Sequence, residues 1–561
     1  MSDLDDLCSF ETEMDNKIAQ SNVFQLPLMS VLTHLFGVID VMIRGGRFGY
    51  GISKREAEAD ALGSRFSHLA DFFKECTPQI AASAIDAFSA SAEFAEDFHE
   101  LIYYAHFCEL MPEVRRNYYD VRRFQEGFEL VHPNEEFAMA EVYDILLTEL
   151  SLTFLVGRIP DLEQEFIRLA GQLPRPNMAL MFRVLTDLFQ SRLNSIKEVP
   201  ILEPNAFQIS VGTTWEEFCK VRAALLAYAD YSIGLADALE FLGLNESNEI
   251  RKQAIFEEFY EWVTVCNSKS FFVSLLRALT NVNSSAIESI LSFLTINIEN
   301  QDFGNAGDGF FPPLVDYPDF YLFSPHILRS MLTGRNIFYV LNKTKRIQFD
   351  NIVSEHLEPT LLKQALDLEV WKTLPDLRSL LNRKWSKGEF DLLIYQSSSN
   401  TVLHIQAKAS IPPQGARMTQ AVEKRSREGI EQLNRFQSLS QDERDSVISE
   451  IFKIRVEKVR CVSVLLCRAG LGTHSVWKLT KDITVVNLQL LNGIIHILSS
   501  EGLNLSDFKR VADRLLIDIY NKSVLGWEQG SISLNGISIR MPLLKLNKDE
   551  VYKIRRQLSF A

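Results

Sequence analysis

The sequence predicts a multidomain chain, a large all-α amino-terminal region followed by an α/β domain with a mixed sheet. Three observations predict it. Over the first 300 residues apolar side chains recur three and four positions apart, as in FEEFYEWVTVC (256–266) and SAIESILSFLTINI (285–298), the stripe of a packed helix. From Gln301 to Pro325 the texture changes to Gly, Pro and Asp interleaved with aromatics, which suits an ordered connector. Beyond residue 345 helical and alternating patterns take turns, as a mixed α/β core requires. The expected division is a helical region at 1–300, a connector at 301–344, an α/β domain at 345–495 and a carboxy-terminal extension at 496–561.

Within the first region the breakers RGGRFGYG (44–51), VHPNEE (131–136), LPRPN (173–177) and VPILEPN (199–205) separate the helices. An Arg-Gly element that touches RNA is one reading of residues 44–51; a glycine-rich turn between helices is the better one. The longest apolar stretch, Val23 to Ile43, is interrupted by Gln25, Pro27, His34 and Asp40, so it predicts a buried helix and not a membrane span. The amino terminus, MSDLDDLCSF, lacks the basic-then-apolar layout of a signal peptide. Seven scattered cysteines form no CxxC pair, which predicts reduced thiols and a cytoplasmic protein.

In the α/β domain NIVSEHLEPTLLKQAL (351–366) reads as a helix, with Ile352, Leu357, Leu361, Leu362, Ala365 and Leu366 near one face. FDLLIY (390–395) and TVLHIQAKA (401–409) read as a hairpin joined by QSSSN. A long polar helix at 418–436, a buried strand at 460–467 and a further strand within 482–491 follow. The extension holds a helix near 505–520, a hairpin around 532–541 and a basic final helix.

Charge is divided unevenly. Residues 1–340 carry 25 Lys and Arg against 49 Asp and Glu, whereas residues 341–561 carry 33 against 24. An acidic half joined to a basic half points to nucleic acid at the basic part, although many basic domains bind nothing anionic. GNAGDG (304–309) lacks the Lys-Ser/Thr of a phosphate loop, so nucleotide is not expected there, and the ten histidines show no HExxH and no paired spacing, so zinc is not expected.

The chemistry-bearing stretch is GEFDLLIY followed by LHIQAK. Side chains alternate along a strand, so Gln406 and Lys408 share one face with His404, and an antiparallel hairpin sets Asp391 beside them. Polar groups converge where apolar ones would pack better. On these residues the chain resembles the PD-(D/E)XK nuclease superfamily of restriction-endonuclease-like fold, in its Mrr-like branch where Gln replaces an acidic residue. The resemblance covers about residues 345–495 and implies a site of Glu358, Asp391, Gln406 and Lys408. Glu358 is the best match for the family's helical Glu; Glu355 and Glu369 are alternatives.

The resemblance implies a metal-dependent endonuclease that hydrolyses phosphodiester bonds, DNA more than RNA. Glu358 and Asp391 would hold Mg²⁺ or Mn²⁺, hard cations that prefer oxygen, with two carboxylates favouring one metal over two. Gln420, Lys424, Arg427 and Arg435 on the next helix, which also carries Arg425 and Gln432, are candidate phosphate contacts. Glu423, Glu428 and Glu431 at helical spacing leave open a solvated face instead. The acidic amino-terminal region would sense a partner, self-associate or restrain the nuclease, a layout that suits a bacterial antiviral defence system. The alternative is an inactive nuclease-fold scaffold acting as a protein or nucleic-acid interaction module.

Overall fold

The computed structural model describes residues 2–49, 63, 65–81, 83–151, 161–173, 177–195, 204–297, 307, 309–332, 334–344, 353–409 and 416–560. The amino-terminal region is built mainly from helices, the longest being Trp215–Asn245, which is buried along most of its length. A capping box between Thr214 and Glu217 starts it, satisfying backbone donors that would otherwise be orphaned. Helix Leu28–Gly49 runs through residues 44–49, where a turn was expected. The buried guanidinium of Arg44 bonds Asp40 one turn back and Asp237 and Glu240 on the long helix, so it is engaged inside the protein; residues 50 and 51 of the expected turn lie outside the described residues. Among the described residues no helix is long and apolar enough to cross a membrane.

Short strands interrupt the helices where spacing alone did not disclose them. β1 (Asp120–Phe124) and β2 (Gly127–Val131) form a hairpin. β3 (Val265–Ser268) and β4 (Thr295–Asn297) take over the ends of two stretches read as helix, which stop at Val263 and Ser292. β5 (Leu314–Asp316) and β6 (Phe320–Phe323) lie in the expected connector, and the four form a sheet of order β3-β6-β5-β4. Phe310, Phe311, Tyr317, Tyr321 and Phe323 of that connector are core residues, so its described part packs with the helical region.

The central sheet contains β7 (Leu377–Trp385), β8 (Gly388–Gln396), β9 (Thr401–Lys408), β10 (Arg460–Cys467) and β11 (Thr484–Val486), in the order β11-β10-β9-β8-β7. β7, β8 and β9 pair antiparallel, and β9, β10 and β11 pair parallel, so the sheet is mixed. β7 was not foreseen; its sequence, LRSLLNRKW, is polar and mostly exposed, as an edge strand can be. The parallel step from β9 to β10 needs a crossover, supplied by helices Ala416–Gln437 and Gln441–Phe452. One sheet face, with Leu392, Ile394, Leu403 and Ile405, joins the main core of the molecule. The other packs a smaller cluster of Phe390, Leu393, Tyr395, Val402, Phe436 and Ile448.

The carboxy-terminal helix Phe508–Ser523 precedes a hairpin of β12 (Val524–Leu534) and β13 (Ile537–Leu546). Its two-residue turn is Asn535-Gly536, both at positive φ, the conformation that matches strand twist and that these two residues tolerate best. β13 also pairs parallel with β2, so the sheet β1-β2-β13-β12 is assembled from both ends of the chain.

Candidate active site

The hairpin places the site by a local break in its ladder. β8 and β9 pair from Gln396↔Thr401 to Leu392↔Ile405 and then part. On the opposite side, β7 pairs at Leu381↔Leu392 and Arg383↔Phe390 but not between them, where Asn382 has a φ of 49°. Asp391 therefore sits at a swivel with no ladder partner on either side. Side chains replace the missing bonds: Ala407 N–H donates to Asp391 Oδ2 at 2.9 Å, and Gln406 Nε2 donates to the Glu389 carbonyl at 2.9 Å. The swivel also explains why Phe390 and Leu393, three residues apart, meet in the same small cluster, which strict alternation forbids.

Glu358 opens helix Glu358–Leu366, after a π-helical turn at Val353–Leu357. Leu357, Leu361, Leu362 and Ala365 bury that helix in the main core and so fix where its first turn lies. Glu358 Oε1 stands 4.0 Å from Lys408 Nζ and 3.9 Å from Arg425 Nη1. The same oxygen is buried and has no hydrogen-bond partner among the described residues. Of the alternatives, Glu355 is exposed, and Glu369 is exposed and paired with Lys372. The structure thus brings Glu358, Asp391 and Lys408 within electrostatic reach of one another, with Gln406 next in the chain to Ala407, whose N–H holds Asp391.

Electrostatics follow from partial enclosure. Burial pushes the Glu358 carboxyl above the usual glutamate range; Lys408 and Arg425 oppose this, while Asp391 and Glu428 add to it. Burial likewise raises the Asp391 carboxyl, against the Ala407 N–H bond and the Lys408 charge and with help from Glu389. Lys408, its side chain 12% exposed, runs beneath the crossover helix, its stem near Gly429. His404 is buried against Phe390 and Phe436, and burial pushes its pKa down to about 3, so it is neutral. Its Nε2 lies 3.1 Å from Gln406 Nε2, and the Oε1 of Gln406 is buried without a hydrogen-bond partner among the described residues.

The four candidate phosphate contacts fare differently. Gln420 and Lys424 are exposed on the crossover helix. Arg427 is half-buried and bonds Ser475 Oγ at 2.9 Å, and Arg435 bonds the Lys387 carbonyl at 3.1 Å. Gln420, Lys424 and Arg427 share a shallow hollow of about 320 Å³ with Glu423, Glu428 and Glu431, so its charge is mixed. Arg425 is the member of this helix that reaches Glu358, a role that spacing could not assign because it depends on how the helix lies across the sheet. Gln432, also on this helix, has a buried amide oxygen with no hydrogen-bond partner among the described residues.

The amino-terminal region touches the same neighbourhood. Asp144, on helix Glu135–Ser151, accepts at Oδ1 from Leu471 N and Gly472 N in the loop that follows β10 and from Trp477 Nε1 in the short helix His474–Trp477 after it. β10 ends beside β9, with Cys467 opposite Lys408. Tyr118 donates to Glu423 on the crossover helix at 3.3 Å.

Among the described residues no group of three or more His, Cys, Asp or Glu is arranged to hold a metal ion. The oxygens on offer are two carboxylates and one amide. Compared with protein-family models, with curated proteins and with solved structures, the chain matches none.

Proposed function

We propose that the chain is a metal-dependent nuclease of restriction-endonuclease-like fold, acting on phosphodiester bonds of DNA more than RNA. The observation that carries this reading is the meeting of Glu358, Asp391 and Lys408 around a ladder break, with unbonded buried oxygens on Glu358 and Gln406. The order of elements supports it: a helix, three antiparallel strands, two crossover helices and a parallel strand.

The oxygen donors fit a hard divalent cation, held by Glu358 and Asp391 with the Gln406 amide beside them. A bound Mg²⁺ or Mn²⁺ supplies positive charge to the scissile phosphate and lowers the pKa of attacking water. Raised carboxyl pKa values mean that both acids hold their protons more tightly than usual, so their readiness to bind a cation improves as pH rises. Lys408 offers a cation beside the carboxylates, where it steadies negative charge that grows on the phosphate. Arg425 approaches the same Glu358 oxygen as Lys408 and adds a second positive charge beside it.

The helical region restrains or senses through the contacts of Asp144 and Tyr118, which reach the loop after β10 and the crossover helix. An assembly of that kind suits antiviral defence, and self-association through the acidic helices belongs to the same reading. A non-catalytic scaffold is favoured by one observation: two of the four candidate phosphate contacts are taken up by Ser475 and by the Lys387 carbonyl.

The test is incubation of the full chain with plasmid and with RNA, in Mg²⁺, Mn²⁺ or chelator. Cleavage that needs the cation is expected, with Asp391→Asn and Lys408→Met each about 10²–10³ slower. Asn and Met suit the site better than Ala, because Asn can still accept from Ala407 and Met fills the space under Gly429. A parent without cation-dependent cleavage of either polymer, or a Lys408→Met variant as fast as the parent, favours the scaffold.

A further inference from the structure

The amide of Gln406 has two hydrogens and two acceptors to meet them. Nε2 lies 2.9 Å from the Glu389 carbonyl oxygen and 3.1 Å from His404 Nε2. Both Gln406 and His404 are buried, 0% and 1% exposed. Turning the amide over would set its oxygen against the Glu389 carbonyl, acceptor on acceptor, in a place water does not reach. His404 accepts the second hydrogen when its Nε2 carries the lone pair, which leaves its Nδ1–H, also buried, without a hydrogen-bond partner among the described residues. The opposite end of the same amide, Oε1, is then left buried without a hydrogen-bond partner among the described residues. A buried carbonyl oxygen of that kind costs free energy unless something positive meets it.

We propose that His404 and the Glu389 carbonyl form an orienting clamp that turns Gln406 Oε1 into a ligand for the divalent cation. The inference rests on the metal-dependent reading above and makes His404 a positioning residue, acting through Gln406. It also gives a reason for an amide at this position: a carboxylate in its place would press a charged oxygen on the Glu389 carbonyl. His404 could meet such a carboxylate only after moving its proton to Nε2.

The test is Mn²⁺ binding to the full chain by calorimetry, without nucleic acid. Outer-sphere partners of metal ligands change affinity about 10–100-fold. His404→Phe, which keeps the aromatic packing and removes the acceptor, should weaken Mn²⁺ about 10-fold. His404→Gln, whose amide oxygen reaches close to the position of Nε2, should restore most of the loss. Gln406→Met should weaken binding at least as much as His404→Phe. The double variant His404→Phe/Gln406→Met should be no weaker than Gln406→Met alone, because the clamp has nothing left to orient. Thermal melting without cation checks each variant, and His404→Leu serves the same comparison should the Phe variant fail to fold. Parental affinity in His404→Phe, or losses that multiply in the double variant, would overturn the clamp. If Asp391→Asn abolishes Mn²⁺ binding while Gln406→Met leaves it unchanged, the clamp alone falls. If Asp391→Asn binds Mn²⁺ like the parent, the metal-dependent reading falls with it.

Discussion

At the scale of single residues, Asp391 holds a charge that the fold would be more stable without. Its folded pKa lies above the ordinary aspartate value of 3.8, so the folded state binds its proton more tightly than the unfolded chain does. Such a group contributes stability below the ordinary value, and that stability is lost as pH rises through the raised one. Asp391→Asn removes the charge and can keep the bond to Ala407. Without cation the variant should therefore melt above the parent at pH 7–8, with the difference shrinking toward zero as pH falls to about 4. Mn²⁺ should raise the melting temperature of the parent and leave the variant unmoved. A parent that outlasts Asp391→Asn at pH 8 without cation would falsify the view that Asp391 is held for function at a cost in stability.

At the scale of elements, the crossover helix Ala416–Gln437 sets the position of Lys408 through one glycine. A Cβ on Gly429 would come within 2.9 Å of Leu465 Cδ1 and of Lys408 Cγ. Replacing glycine by alanine inside a helix ordinarily gains up to about 1 kcal/mol. Here overpacking against a buried leucine and an enclosed lysine stem opposes it, at about 1–3 kcal/mol. Gly429→Ala should lower the melting temperature and slow cleavage while leaving Mn²⁺ affinity near parental, because the displaced residue is Lys408 and not a cation ligand. Unchanged melting and unchanged cleavage would mean that the helix shifts freely over β9.

For the molecule as a whole, the joint between the helical region and the central sheet runs through Asp144. Three N–H donors from the loop after β10 and the short helix that follows it converge on its Oδ1, and Thr148 adds a hydroxyl acceptor for Gly470 N. The pairing of β2 with β13 ties the chain ends together a second time. Asp144→Ala would strand several donors in a place that admits little water, a loss of about 3 kcal/mol. Asp144→Asn, which keeps an acceptor oxygen, should lose less. Hydrogen exchange over residues 468–477 should quicken in the alanine variant. If Asp144→Ala melts with the parent and its exchange is unchanged, the loop is held by packing instead.

The local patterns by themselves determined the helix ahead of the site, the hairpin of β8 and β9, the buried strand β10 and the hairpin around residues 532–541. Each depends on periodicity or turn chemistry within a dozen residues, which a sequence displays directly. The residues Asp391, Gln406 and Lys408 were legible for the same reason, since a hairpin brings near neighbours in sequence together. Only the tertiary structure decided the rest. β7 is too polar to announce itself, and β3 and β4 are short pieces whose strand form comes from partners far along the chain. Arg425 reaches Glu358 because a helix crosses the sheet at one particular place, and no spacing rule sets that crossing. The orientation of the Gln406 amide depends on a carbonyl seventeen residues earlier, exposed to it by the swivel at Asp391. The union of β2 with β13 joins segments more than 400 residues apart, a contact whose energy appears only after the whole core has formed.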